Sequence, residues 1–81
     1  MPIITVKVFE DELTQTQTEK MAGDITEAVI PFVGEALRNS TWVLVEEIKS
    51  GFWGIGGKPF GLADLRRIQG ASDHQRQGGQ V

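Results

Sequence analysis

The N-terminal segment of the 81-residue chain alternates apolar and polar side chains with the two-residue period of a β-strand. Ile4, Val6 and Val8 alternate with polar residues, and β-branched side chains, which favour strands, are frequent in this segment. The pattern predicts a strand over residues 3–9. Pro2 immediately precedes this strand, so we expect it to be held at the end of a sheet.

The next segment has apolar side chains at helical spacing, namely Met21, Ile25, Ala28, Val29 and Phe32. Two threonines, Thr14 and Thr16, are alternative N-caps, because each has Gln or Glu three residues later, as in a capping box. Pro31 is predicted to end or kink this helix, since proline has no backbone N–H to donate.

A second strand is predicted over residues 41–48, because apolar side chains run almost without interruption from 42 to 45. Such a run is typical of a strand that is buried on both faces. Strand, helix and strand in this order predict a βαβ unit with parallel strands and a right-handed crossover.

The C-terminal third begins with the glycine-rich segment 51–57, which predicts tight turns and a short hairpin. Residues 62–68 are interpreted as a short helical turn or an extended arm. From residue 70 the chain is polar and lacks apolar periodicity, which favours disorder. We therefore expect one domain over residues 1–69 and a disordered tail over residues 70–81.

Composition narrows the functional classes. The chain has no cysteine and a single histidine, His74, so neither a disulfide nor a Cys- or His-based metal site is expected. A net charge of −3 argues against a nucleic-acid partner. No apolar run is long enough for a membrane span, and no signal peptide is visible, so we expect a cytoplasmic protein without a membrane partner. A core this small favours oligomerisation.

Pro2 is the first candidate for chemistry. Methionine aminopeptidases generally remove Met1 before a small residue, and the product here would carry a secondary amine at its N-terminus. A free α-amine has a pKa near 8. Burial and neighbouring cations would lower that pKa and leave a neutral base at physiological pH. The alternative is that Pro2 has no chemical role, as in many proteins that begin Met-Pro.

Three large aromatic side chains, Trp42, Phe52 and Trp53, are candidates for the wall of a ligand pocket, although core or interface positions are the commoner use of such residues. Arg38 is a candidate for binding a substrate carboxylate in bidentate geometry; its alternative role is a solvated surface charge. The glycines of residues 54–57 lack the Lys-Ser/Thr ending of a phosphate-binding loop, which favours a structural turn.

In combination, these features resemble the 4-oxalocrotonate tautomerase family over residues 2–67. The resemblance rests on Pro2 at the start of a strand, on Thr26-Glu27-Ala28, on Val45-Glu46-Glu47-Ile48 and on Gly51-Phe52-Trp53-Gly54-Ile55-Gly56-Gly57. It implies an α+β fold, with β-α-β subunits in two layers that pair into four-stranded dimers and assemble into a homohexamer. It also implies keto–enol tautomerisation of a small unsaturated 2-hydroxy acid by the N-terminal proline, without cofactor or metal.

The chain departs from the family pattern at the residues that bind substrate. The aromatic residue that the family places before Gly-Ile-Gly-Gly is Trp53 here. The two family arginines that bind substrate carboxylates fall on Glu12 or Leu13 and on Trp42. The resemblance therefore implies an isomerase whose substrate carries less charge, or is held through Arg38. The alternative is a non-catalytic structural subunit or small-ligand binding module with the same fold.

Overall fold

A computed structural model describes residues 1–77 of the chain, with side chains described through residue 70. These residues divide into two compact units, Met1–Ile48 and a second unit that begins at Lys49. The first unit contains the parallel sheet and its covering helix. The second contains a short hairpin and the C-terminal helix.

The first unit is built on two parallel strands, β1 (Ile3–Phe9) and β2 (Trp42–Ile48). They pair over their full length, from Ile3 opposite Trp42 to Phe9 opposite Ile48. Both predicted strands and their parallel pairing are confirmed, as is the α+β class. The long crossover between the strands explains the parallel arrangement, because a tight turn can join only antiparallel neighbours.

Helix α1 (Gln15–Val33) forms the crossover between the two strands. Of the two candidate caps, Thr14 is the one used: its side chain accepts a hydrogen bond from the Gln17 backbone, and the Gln17 side chain accepts one from the Thr14 backbone. This reciprocal pair is a complete capping box. The helix ends two residues beyond Pro31, because a proline in the last turn costs only one backbone hydrogen bond.

A 3₁₀ helix, Glu35–Ser40, connects α1 to β2 and had no signal in the apolar pattern. Gly34 allows the change of direction before it, with a φ of 102° that residues with a Cβ rarely adopt. The backbone N–H of Thr41 donates to the Arg38 carbonyl at the end of this helix. The connection therefore reverses the chain within a few residues and delivers it to the start of β2.

The core of the first unit lies between α1 and one face of the sheet. Val8 and Ile30 are buried in this layer. On the opposite sheet face Trp42 and Leu44 are exposed, whereas Phe9, which alternation places on that face, is buried at the end of β1. A single copy of this unit thus covers only one of the two faces of its sheet.

The second unit begins with an antiparallel hairpin of β3 (Trp53–Ile55) and β4 (Lys58–Phe60). Its two-residue turn consists of Gly56 and Gly57, whose φ values of 59° and 82° are both positive. A type I′ turn has this geometry, which matches the twist of the strands it joins. The hairpin predicted from the glycine-rich segment is confirmed.

Helix α2 (Leu62–Gln77) follows the hairpin. Asp64 fixes its start by accepting a hydrogen bond from the Gly61 backbone at 2.9 Å. Residues 62–68 are therefore helical rather than an extended arm. The helix continues to Gln77, and the predicted disorder of the tail over residues 70–81 stays a prediction. Residues 78–81 of the predicted tail lie outside the described residues.

Candidate functional site

Pro2 is fixed at the head of β1 by the sheet itself. Its carbonyl accepts a hydrogen bond from the Trp42 backbone N–H at 3.0 Å, which is the first link between the two strands. Pro2 is partly buried, whereas Met1 before it is 71% exposed. Met1 is therefore open to solvent, and its removal would leave a secondary amine on a residue already anchored by the sheet.

Trp42 is the candidate aromatic residue that the structure brings to Pro2. It lies opposite Ile3 in the strand register, on the sheet face that α1 does not cover. Its side chain is 51% exposed, so a large part of the indole is available for contact with another molecule. The uncovered face is apolar beside Pro2, because Ile3, Trp42 and Leu44 are all exposed there.

Arg38 lies in the 3₁₀ helix, where two carboxylates occupy its guanidinium group. One edge, Nε and Nη2, donates to Glu35, and the other edge, Nη1 and Nη2, donates to Glu27. The hydrogen bond to Glu35 is the main cause that raises the pKa of Arg38, and Glu27 adds to it. The same contact lowers the pKa of Glu35. A substrate carboxylate would have to displace Glu27 or Glu35 before it could bind Arg38.

Phe52 and Trp53, the other two aromatic candidates, belong to the second unit. Phe52 lies just before the hairpin, is 76% exposed, and has the Lys49 ammonium 5.9 Å from its ring centroid. Trp53 opens β3, opposite Phe60, and is half-buried. Their proposed place in the wall of the same pocket as Pro2 stays a prediction.

Among the surface grooves of the described residues, two lie in the first unit and are lined partly by α1. The larger, about 380 Å³, follows one side of α1 and is lined by Gln17, Lys20, Met21, Asp24 and Ile25. The smaller, about 200 Å³, lies by the start of α1 and is lined by Leu13, Gln15, Thr18, Val45 and Glu47. Neither of these two grooves is lined by a predicted site residue. The open sheet face beside Pro2 is therefore a better candidate for the site than either groove.

The ion pairs that Arg38 forms with Glu27 and Glu35 were not predicted from the sequence. Glu35 is three residues before Arg38 on the same short helix, a spacing that can be recognised in a sequence. Glu27 is eleven residues away, and its contact depends on the reversal of the chain at Gly34. No local pattern in the sequence indicates that second contact.

Among the side chains of residues 1–70, no group of three or more histidine or acidic residues is arranged to hold a metal ion. Within residues 1–77, no helix combines the length and apolar character that crossing a membrane requires.

Comparison with protein families gives a match over residues 2–63 to the model described as tautomerase enzyme. The match spans more than half of the chain and includes Pro2, both strands of the parallel pair, α1 and the glycine-rich hairpin. Comparison with curated protein sequences gave no significant match.

Solved structures with the same fold include YwhB, a homologue of 4-oxalocrotonate tautomerase. It is 28% identical, with a TM-score of 0.64 over 72% of this chain and 92% of that one. TomN, a 4-oxalocrotonate tautomerase homologue of the tomaymycin biosynthetic pathway, is 20% identical, with a TM-score of 0.64 over 84% and 95% of the two chains. A 4-oxalocrotonate tautomerase isozyme from Methylibium petroleiphilum is 22% identical, with a TM-score of 0.63 over 84% and 98%. The last two likenesses concern the fold alone.

Proposed function

The chain belongs to the tautomerase family, and we propose that it is a cofactor-independent isomerase with the Pro2 amine as its general base. The proposed reaction is keto–enol proton transfer on a small unsaturated 2-hydroxy or 2-keto acid. The resemblance of the sequence to 4-oxalocrotonate tautomerase and the fold shared with its homologues support this reaction type.

The observation that carries the proposal is the anchoring of Pro2. A general base must be held within hydrogen-bonding reach of the proton that it transfers. The hydrogen bond from Trp42 to the Pro2 carbonyl holds this residue at the head of a paired strand, whereas the first residues of most domains are poorly ordered. The family match also begins at Pro2.

In the proposed mechanism, the lone pair of the neutral Pro2 amine removes the hydroxyl proton of an enol substrate, or the proton on the carbon beside the carbonyl of a keto substrate. The electron pair of the broken O–H or C–H bond moves into the conjugated enolate. The resulting ammonium group then returns the proton to a carbon of that enolate, which is the vinylogous carbon in a dienolate, and regenerates the free amine. Substrate and product contain the same atoms at the same overall oxidation level, so the reaction requires no external oxidant or reductant.

The remaining roles follow from the aromatic and cationic candidates. Trp42 provides the apolar wall beside Pro2 in the proposed site, which excludes water from the dienolate. The pocket roles of Phe52 and Trp53 stay predictions. Arg38 serves as a carboxylate partner only for a substrate that displaces one of its two glutamates.

Assembly is part of the proposal. The parallel pair has two unpaired edges and one uncovered apolar face, which symmetric association would cover. We propose a homohexamer in the cytoplasm, with six copies of the 8.9-kDa chain and a total mass of about 53 kDa.

One observation favours a second candidate function, a non-catalytic subunit or small-ligand binding module with the same fold. The positions of the two family arginines hold Glu12 or Leu13 and Trp42, and the Glu12 carboxylate accepts a hydrogen bond from the Phe9 backbone at 2.9 Å. Glu12 therefore stabilises the turn after β1, and its acidic side chain cannot bind a substrate carboxylate as an arginine would.

An enol ketonisation assay separates the two candidates. Protein whose intact mass shows that Met1 is absent is mixed with enols of mono- and dicarboxylate 2-keto acids, and the loss of enol absorbance is followed. The proposed isomerase gives saturable acceleration proportional to enzyme concentration. If folded protein with a free Pro2 accelerates none of these enols, the non-catalytic function is the correct one.

A further inference from the structure

We propose that Trp42 determines substrate specificity and selects enol acids that carry one carboxylate and an apolar, preferably aromatic, substituent. A second carboxylate in the place of that substituent is disfavoured. This inference rests on the proposed function, because it names the substrate class of the same site.

Trp42 lies beside Pro2 at the end of the sheet. Its backbone N–H is bonded to the Pro2 carbonyl, and its side chain lies on the uncovered face opposite Ile3. Pro2 and Trp42 thus share one end of the sheet, and we place the distal end of a substrate that reaches the Pro2 amine against Ile3 and the half-exposed indole. An indole face stacks well on a flat apolar group and gives a carboxylate no donor except its single N–H.

The cationic side chains in the unit that carries Pro2 already have carboxylate partners. This unit, which the structure describes in full, contains three lysine or arginine side chains, and each is paired with a carboxylate. Lys7 lies 3.8 Å from Glu46, Lys20 lies 2.7 Å from Asp24, and Arg38 is held by two glutamates; these three pairings are separate.

Of these cations, Lys7 has the longest distance to its carboxylate partner, but it lies too far from Pro2 to bind a carboxylate of the same substrate. It lies five residues along β1 from Pro2, which is roughly 16 Å at the rise of a strand. Arg38 is nearer in sequence to Trp42, but both edges of its guanidinium group already donate to carboxylates in bidentate fashion. Each substrate carboxylate would thus have to displace an ion pair within this unit. A second carboxylate adds that cost again, whereas an apolar group displaces only water from the indole.

A well-placed apolar group in a hydrophobic pocket changes kcat/KM by about 10- to 200-fold per group recognised. We therefore expect the natural protein to prefer an aromatic monocarboxylate enol over a linear dicarboxylate enol by at least about tenfold in kcat/KM.

The experiment uses the full chain with Met1 removed and two probes, the enol of phenylpyruvate and 2-hydroxymuconate. Trp42→Arg is expected to lower kcat/KM for the aromatic enol and raise it for the dicarboxylate, so that the preference ratio falls by at least about tenfold. Asn39→Arg is the matched control, because it adds the same charge at an exposed position of the 3₁₀ helix three residues earlier. The control is expected to keep the ratio of the natural protein.

A neutral pair of variants keeps the test valid if Trp42→Arg fails to fold. Trp42→Phe retains an aromatic face and should keep the preference, whereas Trp42→Gln should lose it through a higher KM for the aromatic enol. Circular dichroism and native mass spectrometry check each variant for folding and assembly.

Three results are decisive. A natural protein that turns over the dicarboxylate at least as well as the aromatic enol overturns the specificity assignment and leaves the isomerase function standing. Equal ratios for Trp42→Phe and Trp42→Gln overturn it as well. Absence of turnover with both enols removes the proposed function, and the specificity assignment with it.

Discussion

The two faces of the β1–β2 sheet come from the same fourteen residues but have different surroundings. On one face, which contacts α1 through β2, the following side chains are buried or half-buried: Ile4, Val6, Val8, Val43 and Val45. On the other face Ile3, Thr5, Lys7, Trp42, Leu44 and Glu46 are exposed, and Phe9 is buried where β1 ends. Alternation along a strand thus assigns stability to one set of positions and leaves the other set for assembly and recognition.

This contrast also explains why Pro2 lies where it does. The residue belongs to the end of the sheet, where the packing of the covered face fixes the strand and the apolar uncovered face begins. Packing on the covered face keeps a base at this point rigid. The apolar side chains of the uncovered face would surround its substrate.

The largest expected effect is on assembly. Leu44→Glu places a charge on the uncovered face, where an interface between copies would have to bury it without a partner. We expect native mass spectrometry to show a shift from about 53 kDa to the 8.9-kDa single chain. Lys7→Gln, at the polar end of the same face, should remain assembled. A natural protein that is monomeric at micromolar concentration would contradict the proposed hexamer.

On the covered face the expected effect is on stability. Val8→Ala removes two methyl groups from a side chain that is 8% exposed, which should lower the free energy of unfolding by about 2 kcal/mol. Thr5→Ala, on the same strand but on the open face, should change it by less than about 0.5 kcal/mol. Urea unfolding at one fixed protein concentration measures both. Equal losses would show that the two faces do not differ as described.

The helix that covers the first face has its own test. Thr14→Ala breaks the capping box of α1 and should cost about 1 kcal/mol of stability. Thr16→Ala is the matched control, because Thr16 was the alternative cap in the sequence but lies inside the helix in the structure. Its replacement should change stability by no more than about 0.5 kcal/mol. A larger loss for Thr16 than for Thr14 would mean that the helix begins elsewhere.

The smallest expected effect comes from the exposed pairing of Arg38 with Glu35. Arg38 holds the pKa of Glu35 below its usual value, so the pairing stabilises the folded chain above the unfolded-state pKa of about 4.3. This contribution is lost as the pH falls from there through the lower folded pKa. Glu35→Gln should therefore narrow the difference in Tm between pH 7 and pH 3 slightly. An unchanged difference would show that the pairing contributes nothing in solution.

Most of the first unit could be predicted from the sequence because its signals are local. The alternation of β1, the apolar run of β2 and the capping box at Thr14 each lie within a few residues. The hairpin was predictable for the same reason, since Gly56 and Gly57 supply the two positive φ values of its turn.

The features that could not be predicted depend on how the chain turns or on how far a weak signal extends. The 3₁₀ helix lacks an apolar period, and the Arg38–Glu27 pair exists only because this helix turns back towards α1. Helix α1 extends beyond Pro31 because helix propagation outweighs the one backbone hydrogen bond that the proline removes. The length of α2 also depends on how far the helix propagates, which the local sequence pattern does not indicate. At the site, the sequence identified Pro2 and Trp42 as candidates, but only the strand register shows that they are neighbours.

The Pro2 amine as general base is the central claim, and a comparison of two forms of one protein tests it most directly. In one form Met1 has been removed, and in the other an N-terminal extension keeps the Pro2 nitrogen as an amide with no basicity. Both forms should show the same circular dichroism spectrum and native mass. The account predicts that kcat/KM for enol ketonisation is at least about 100-fold lower in the extended form. Equal rates in the two forms would contradict it, because the catalytic base would then lie elsewhere.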